Sequence, residues 1–230
     1  MRLGLLVPSS NTTMEPDLYA MAPLGVSIHS ARMRLRGVTP ESLFDMARDA
    51  ERGADLLASA DVDLILYGCT SGSLIGGVDW GERLVNRIQG RTGIKAVSTG
   101  QAVIGALERL GGGRVGVATP YIEVVNDLEK SFLESQGFDV ACVEGLGLTD
   151  NLLIGRTSPE KVIHLVKKVT KGVDIIFISC TNLPVIHVIE NIESDEGIPV
   201  VTSNQASIWA ALKTQGFKGI EGFGKLMKTI

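Results

Sequence analysis

The chain has 230 residues, 44% of them apolar and 21% charged, the composition of a folded globular protein with room for one large or two small domains. Its net charge of −4, without a long basic run, speaks against nucleic acid or an anionic membrane as partner. No apolar run approaches the ~18 residues of a membrane span and no signal-peptide pattern opens the chain, so a cytoplasmic location is expected.

In chain order, Leu3–Val7, Val26–Met33, Leu64–Tyr67 and Ala96–Ser98 read as short strands. Between the second and third, residues 40–60 carry Leu43, Phe44, Ala47, Ala54, Leu57 and Ala58 at helical spacing behind a Thr39-Pro40 start signal, predicting one helix. The same alternation then recurs, with strands at Val115–Ala118, Val140–Val143, Ile175–Ile178 and Val200–Thr202. Helices are expected near 122–136, 159–171, 184–193 and 205–215. Uninterrupted apolar strands separated by helices imply a parallel sheet covered on both faces.

The recurrence extends to individual residues. VDLILYGCTS at 62–71 parallels VDIIFISCTN at 173–182, sharing Val62/Val173, Asp63/Asp174, Ile65/Ile176, Cys69/Cys180 and Thr70/Thr181. RLGLLVP at 2–8 parallels RVGVATP at 114–120, and IKAVSTGQAVIGA at 94–106 parallels IPVVTSNQASIWA at 198–210. Three matches in one order indicate duplication. The expected fold is α/β: two pseudo-symmetric flavodoxin-like halves, each a four-stranded parallel sheet in the order 2-1-3-4, with a cleft between them. The halves are expected at 1–112 and 113–216, meeting at the Gly111-Gly112-Gly113 joint, with 217–230 packing back on the first half.

Ligands of such sheets gather at strand carboxyl ends where strand order reverses. There the first half places Pro8-Ser9-Ser10-Asn11-Thr12-Thr13 and Cys69-Thr70-Ser71, and the second half Pro120-Tyr121 and Cys180-Thr181-Asn182. A cysteine between a strand end and a helix start meets free backbone N–H groups and the positive end of the helix dipole, so both thiols are expected to have lowered pKa values. A single such cysteine is more often a buried small hydrophobe; two at repeat-related positions argue for chemistry. Cys142 has no repeat partner and reads as core. His187 reads as a surface or packing residue, and Arg32, Arg34 and Arg36 as a solvated face. Three cysteines do not make a disulfide framework. His29, His164 and His187 are too scattered for a metal site, and no Gly-rich dinucleotide fingerprint follows the first strand. Neither metal nor other cofactor is expected.

VPSSNTTMEPD, YGCTS and ISCTNL together closely resemble the maleate cis-trans isomerases of the aspartate/glutamate racemase superfamily. The second half also resembles arylmalonate decarboxylase. The resemblance covers essentially the whole chain. It implies a cofactor-independent isomerase in which Cys69 adds to the double bond of maleate and Cys180 supplies and retrieves a proton. It further implies substrate binding by Asn11, Tyr121 and Asn151, with hydroxyls and N–H groups from Thr70, Ser71 and Thr181. Ser9, in the first-strand loop, is a further binding candidate. By resemblance alone, a homodimer acting on a small mono- or dicarboxylate is expected.

Three other readings remain at this point. Decarboxylases of the resembling type have one cysteine, with glycine at the first-half position, so Cys69 departs from them. Amino-acid racemases use two opposed cysteines but carry an acidic or polar group after the first strand, where this chain has neutral SSNTT. A non-catalytic carboxylate-binding module is the fourth possibility. The Gly-rich segment 72–77 is expected to close over the ligand.

Overall fold

In the computed structural model, which describes all 230 residues, the apolar runs become two parallel sheets. β1 (Arg2–Pro8), β2 (Ser27–Met33), β3 (Leu64–Tyr67) and β4 (Ala96–Ser98) lie in the order β2-β1-β3-β4. β5 (Arg114–Thr119), β6 (Asp139–Gly145), β7 (Ile175–Ile178) and β8 (Val200–Thr202) repeat it as β6-β5-β7-β8. Each is the expected 2-1-3-4 arrangement. The central strands β1, β3, β5 and β7 are buried almost end to end, which explains why they read as unbroken apolar runs and not as alternation. The repeated aspartates have the same task in both halves. Asp63 accepts the Arg2 amide at 2.6 Å and Asp174 the Arg114 amide at 2.9 Å, fixing where each first strand starts against its neighbour.

Helices cover both sheets. The first half contributes α1 (Met14–Met21), α2 (Pro40–Ala47), α3 (Ala50–Ala58), α4 (Thr70–Leu74), α5 (Trp80–Thr92) and α6 (Thr99–Arg109). The second contributes α7 (Glu123–Ser135), α8 (Asn151–Gly155), α9 (Pro159–Val166), a 3-10 turn at Ile186–Val188, α10 (Ile189–Glu196) and α11 (Ser203–Thr214). The single helix expected over 40–60 is two. Asp49, between α2 and α3, turns its carboxylate to the Arg34 amide at 2.9 Å beyond the end of β2, and the chain breaks there. The repeated glutamines also acquire a reason. Ser98 with Gln101, and Thr202 with Gln205, form reciprocal capping boxes that start α6 and α11 directly from β4 and β8. No helix is long and apolar enough to cross a membrane.

α6 and α11 pack against each other across the line between the sheets, with Thr99 Oγ1 and Ser207 Oγ 3.0 Å apart. The closing segment differs from expectation. Its short helix α12 (Gly224–Met227) packs on β8, α10 and α11, all in the second half. Phe223 O accepts from Gln205 Nε2 at 2.6 Å, the Lys225 amide donates to Glu193 Oε2 at 2.9 Å, and Trp209 Nε1 donates to Thr229 Oγ1 at 3.1 Å. These hydrogen bonds hold the segment to its own half.

Gly116, central in β5, lies so close to the turn after α9 that a β-carbon there would sit 2.1 Å from the Val169 carbonyl oxygen. Backbone cannot yield as a side chain can. Gly116→Ala is therefore expected to destabilise the fold by about 3 kcal/mol or more, read as a lowered urea midpoint; a midpoint within error of the parent would refute the close approach.

Candidate active site

The two strand-end cysteines are built by related but unequal turns. After β3, Gly68 leads to Cys69, which is the N-cap of α4; its sulfur accepts the Gly72 amide at 3.3 Å, with Ser71 Oγ at 3.8 Å. After β7, Ser179 leads to Cys180, whose sulfur accepts the Asn182 amide at 3.3 Å. Cys180 has φ +101°, one of only two non-glycine residues in the chain with positive φ. That backbone costs on the order of 1–3 kcal/mol and persists only where its surroundings enforce it. No regular helix follows Cys180 directly; the next helical residue is Ile186.

Hydrogen bonds between the halves enforce this geometry. Ser203, the first residue of α11, accepts from Thr70 Oγ1 at 2.8 Å and from the Cys180 amide at 3.0 Å, touching both cysteine turns at once. Thr181 Oγ1 donates to Gly68 O at 3.3 Å and accepts from Asn11 Nδ2 at 3.1 Å. Asn182 Oδ1 accepts the Thr12 amide at 2.8 Å, and its Nδ2 donates to Asn151 O at 2.5 Å. Asn151 Nδ2 reaches Ser10 Oγ at 2.9 Å. Asn11 Oδ1 caps α1 by accepting the Thr13 and Met14 amides, both at 2.9 Å, which leaves one Nδ2 hydrogen uncommitted.

Cys69, Thr70, Ser71, Cys180, Thr181, Asn11, Asn151 and Tyr121 thus come together, every one of them buried. Ser9 does not join them. Its side chain is tied to the backbone of Leu35, donating to Leu35 O at 3.3 Å and accepting the Leu35 amide at 3.0 Å, on the outer side of β2. There it lines a surface groove of about 780 Å³ with His29, Arg32 and Arg52, which neither thiol lines.

The electrostatics reverse the expected thiol shift. Cys69 and Cys180 are only 4% and 7% exposed. Burial pushes Cys69 up to about 11, against the opposing help of the Gly72 amide and Ser71. It pushes Cys180 up to about 12, against help from the Tyr121 hydroxyl and the Asn182 amide. Desolvation outweighs the few donors because no cation adjoins either sulfur. Burial raises the Tyr121 phenol well above its ordinary range, and Cys180 and Cys69 add to that rise.

Other expectations also change. Cys142 is half-buried at a register shift between β5 and β6 and is not in the core. Arg32 is more than a solvated side chain: it pairs with Glu15 and donates to Ser9 O and Asn11 O, holding the loop after β1. His187 is exposed, as expected. The segment at 72–77 starts inside α4, and a β-carbon at Gly72 would meet Met46 Cε and Tyr67 Oη at 2.8 Å and Cys69 Sγ at 3.0 Å, so its first residue is packed against the Cys69 turn. No three His, Cys, Asp or Glu side chains cluster as a metal-ligating set.

Sequence reasoning passed over Ser203, Asn204, Asp17 and Glu129. The acids had a signal: the 112-residue offset that aligns Arg2 with Arg114 and Pro8 with Pro120 also aligns Asp17 with Glu129. Both are buried, and burial raises each to about 7.

A duplicated pair of parallel sheets meeting at two strand-end thiols defines an enzyme of the paired-cysteine α/β class. The chain belongs to the arylmalonate decarboxylase family, whose model matches residues 3–227, in the maleate isomerase and arylmalonate decarboxylase branch of the aspartate/glutamate racemase-like superfamily. It is 30% identical to a maleate isomerase of Pseudomonas putida, over 98% of this chain and 96% of that one. It is 28% identical to the arylmalonate decarboxylase of Bordetella bronchiseptica, over 96% and 91% respectively. Its fold matches a cysteine-to-serine mutant of Nocardia farcinica maleate cis-trans isomerase, solved with a covalently bound succinylcysteine intermediate, at a TM-score of 0.95 and 28% identity, covering 100% of this chain and 98% of that one.

Proposed function

We propose that this protein is a maleate cis-trans isomerase that converts maleate to fumarate with Cys69 as nucleophile and Cys180 as proton carrier. The observation that carries the reading is the hydroxyl of Ser203, which accepts from Thr70 Oγ1 at 2.8 Å and from the Cys180 amide at 3.0 Å and so joins the turns that bear the two repeat-related thiols. The Cys69 thiolate adds to one olefinic carbon; the π electrons move to the other, which takes the proton of Cys180. The product is a succinyl group on Cys69 whose former double bond is now single and free to rotate. After rotation, the Cys180 thiolate removes the proton, the C–S bond breaks, the double bond re-forms trans, and Cys69 leaves as thiolate. Every proton and electron pair is returned, so no cofactor is consumed. Asn11 Nδ2, Asn151 and the Thr70 and Ser71 amides at the start of α4, which have no intrahelical acceptor, are assigned to the two carboxylates.

An amino-acid substrate fits less well. Glu15, the acid nearest the loop after β1, is neutralised by Arg32 and cannot steer an ammonium group. The presence of Cys69 likewise disfavours the one-cysteine decarboxylation route. A homodimer is the accompanying expectation, from family resemblance. The test is proton NMR of the protein with maleate: fumarate should accumulate. Absence of fumarate from the folded, reduced protein would remove this substrate.

A further inference from the structure

The two thiols occupy equivalent positions, yet the reaction proposed above needs them to differ: one must ionise and the other must hold its proton. Around Cys180 the structure contains a carboxylate with no use so far. Glu129, on α7, is 1% exposed; its Oε1 accepts from Ser179 Oγ at 2.6 Å, and its Oε2 has no partner. Ser179 is the residue immediately before Cys180. No Lys, Arg or His pairs with Glu129.

The first half lacks this arrangement. Gly68, the counterpart of Ser179, has no hydroxyl. Asp17, the counterpart of Glu129, is bound instead by Asn204 Nδ2 at 2.7 Å, which also donates to Thr181 O at 3.1 Å. Both acids therefore brace the residues flanking Cys180, and neither is joined to the turn before Cys69. We propose that Glu129, hydrogen-bonded to the residue before Cys180, is a positioning residue whose charge adds to burial in keeping that thiol protonated, so that duplicated thiols divide into a nucleophile and a proton donor. The assignment of those two roles rests on the isomerase reading; the coupling itself does not.

The groups facing Glu129 are few. Tyr121 precedes α7, and Cys180 follows Ser179; burial raises both and the Glu129 charge adds to it, whereas it does not act on Cys69. α4 packs against α7 with no titratable side chain, only Cys69 at its cap. β6, along the same helix, brings Asp139, which faces Arg114, and Cys142, which responds to Glu144 and Arg114. Glu129 itself is raised to about 7 by burial, so its charge appears across the neutral range.

The experiment measures iodoacetamide alkylation of Cys180 between pH 5.5 and 9, located by peptide mass spectrometry, in Cys69→Ser protein with and without Glu129→Gln. Above about pH 7 the glutamine variant should react about tenfold faster, the factor for a shift of about one unit from a neighbouring like charge. Below about pH 6 the two rates should converge, because Glu129 is then neutral in both. A ratio of one throughout, or a ratio independent of pH, would overturn the proposal, since a merely structural effect has no reason to follow Glu129 ionisation. Ser179→Ala supplies the second arm. Stripped of its one hydrogen bond, Glu129 should stay protonated to higher pH, and Cys180 should react faster near pH 7.5; parent-like rates there would count against the coupling. Neither arm needs turnover, so failure to isomerise maleate would sink the reaction while leaving this result intact.

Discussion

Cys180→Ser is expected to end turnover of maleate while leaving Cys69 able to form its covalent adduct. Serine keeps the shape of the turn but offers a hydroxyl far too weak an acid to deliver and retrieve the proton at carbon, so loss of about 10³-fold or more in kcat is expected. After prolonged incubation with maleate, the peptide containing Cys69 should gain the mass of one maleic acid, the second carbon taking its proton slowly from solvent water in place of the Cys180 thiol. Cys69→Ser should lose activity to a similar degree and gain no mass anywhere. Label on Cys180 in the Cys69→Ser protein would reverse the assigned roles; label on neither variant, with both folded, would remove the covalent route. The succinylcysteine seen in the Nocardia farcinica mutant is the corresponding species in a related enzyme. Because burial holds Cys69 near 11, the rate in the parent protein should climb from neutral toward alkaline pH as thiolate becomes available.

The second large effect is on stability. Asp17 holds its proton to about pH 7 in the folded chain, against 3.8 ordinarily, because burial penalises its charge more than Asn204 favours it. A raised folded pKa means that this contribution is full below pH 3.8, falls as pH rises toward 7, and stays lost above it. Asp17→Asn keeps the shape and an oxygen for Asn204 but never ionises. It should stabilise the fold by about 2–4 kcal/mol at pH 8 and by almost nothing at pH 4. Urea denaturation of parent and variant at both pH values measures this; equal gains at the two would show that packing, not charge, is responsible.

Much of the architecture was readable from the residues because of local physics. β3, β4, β7 and β8 begin and end where their apolar runs do, and β3, β7 and β8 are buried on both faces. The cysteines lie at the strand ends for the same reason. What could not be read depended on three-dimensional competition. Ser9 and Ser10 are neighbours in one polar loop, yet one bonds to Leu35 and the other to Asn151, a choice set by loop direction. Spacing predicted helix dipoles beside the thiols and so lower pKa values, but it carries no measure of how fully both sulfurs are removed from water. The break at Asp49 required knowing that the end of β2 would offer it an amide.

The seam between the loops after β1 and β7 has an evolutionary consequence. A gene copied in tandem ordinarily frees its two products to drift apart. Here the amide of Asn11 grips the hydroxyl of Thr181, the carboxamide of Asn182 grips the amide of Thr12, and the hydroxyl of Thr13 grips the carbonyl of Asn182. A change on one side of that seam leaves a buried polar group orphaned on the other, so the copies are bound to change together there, while surfaces away from it remain free to diverge.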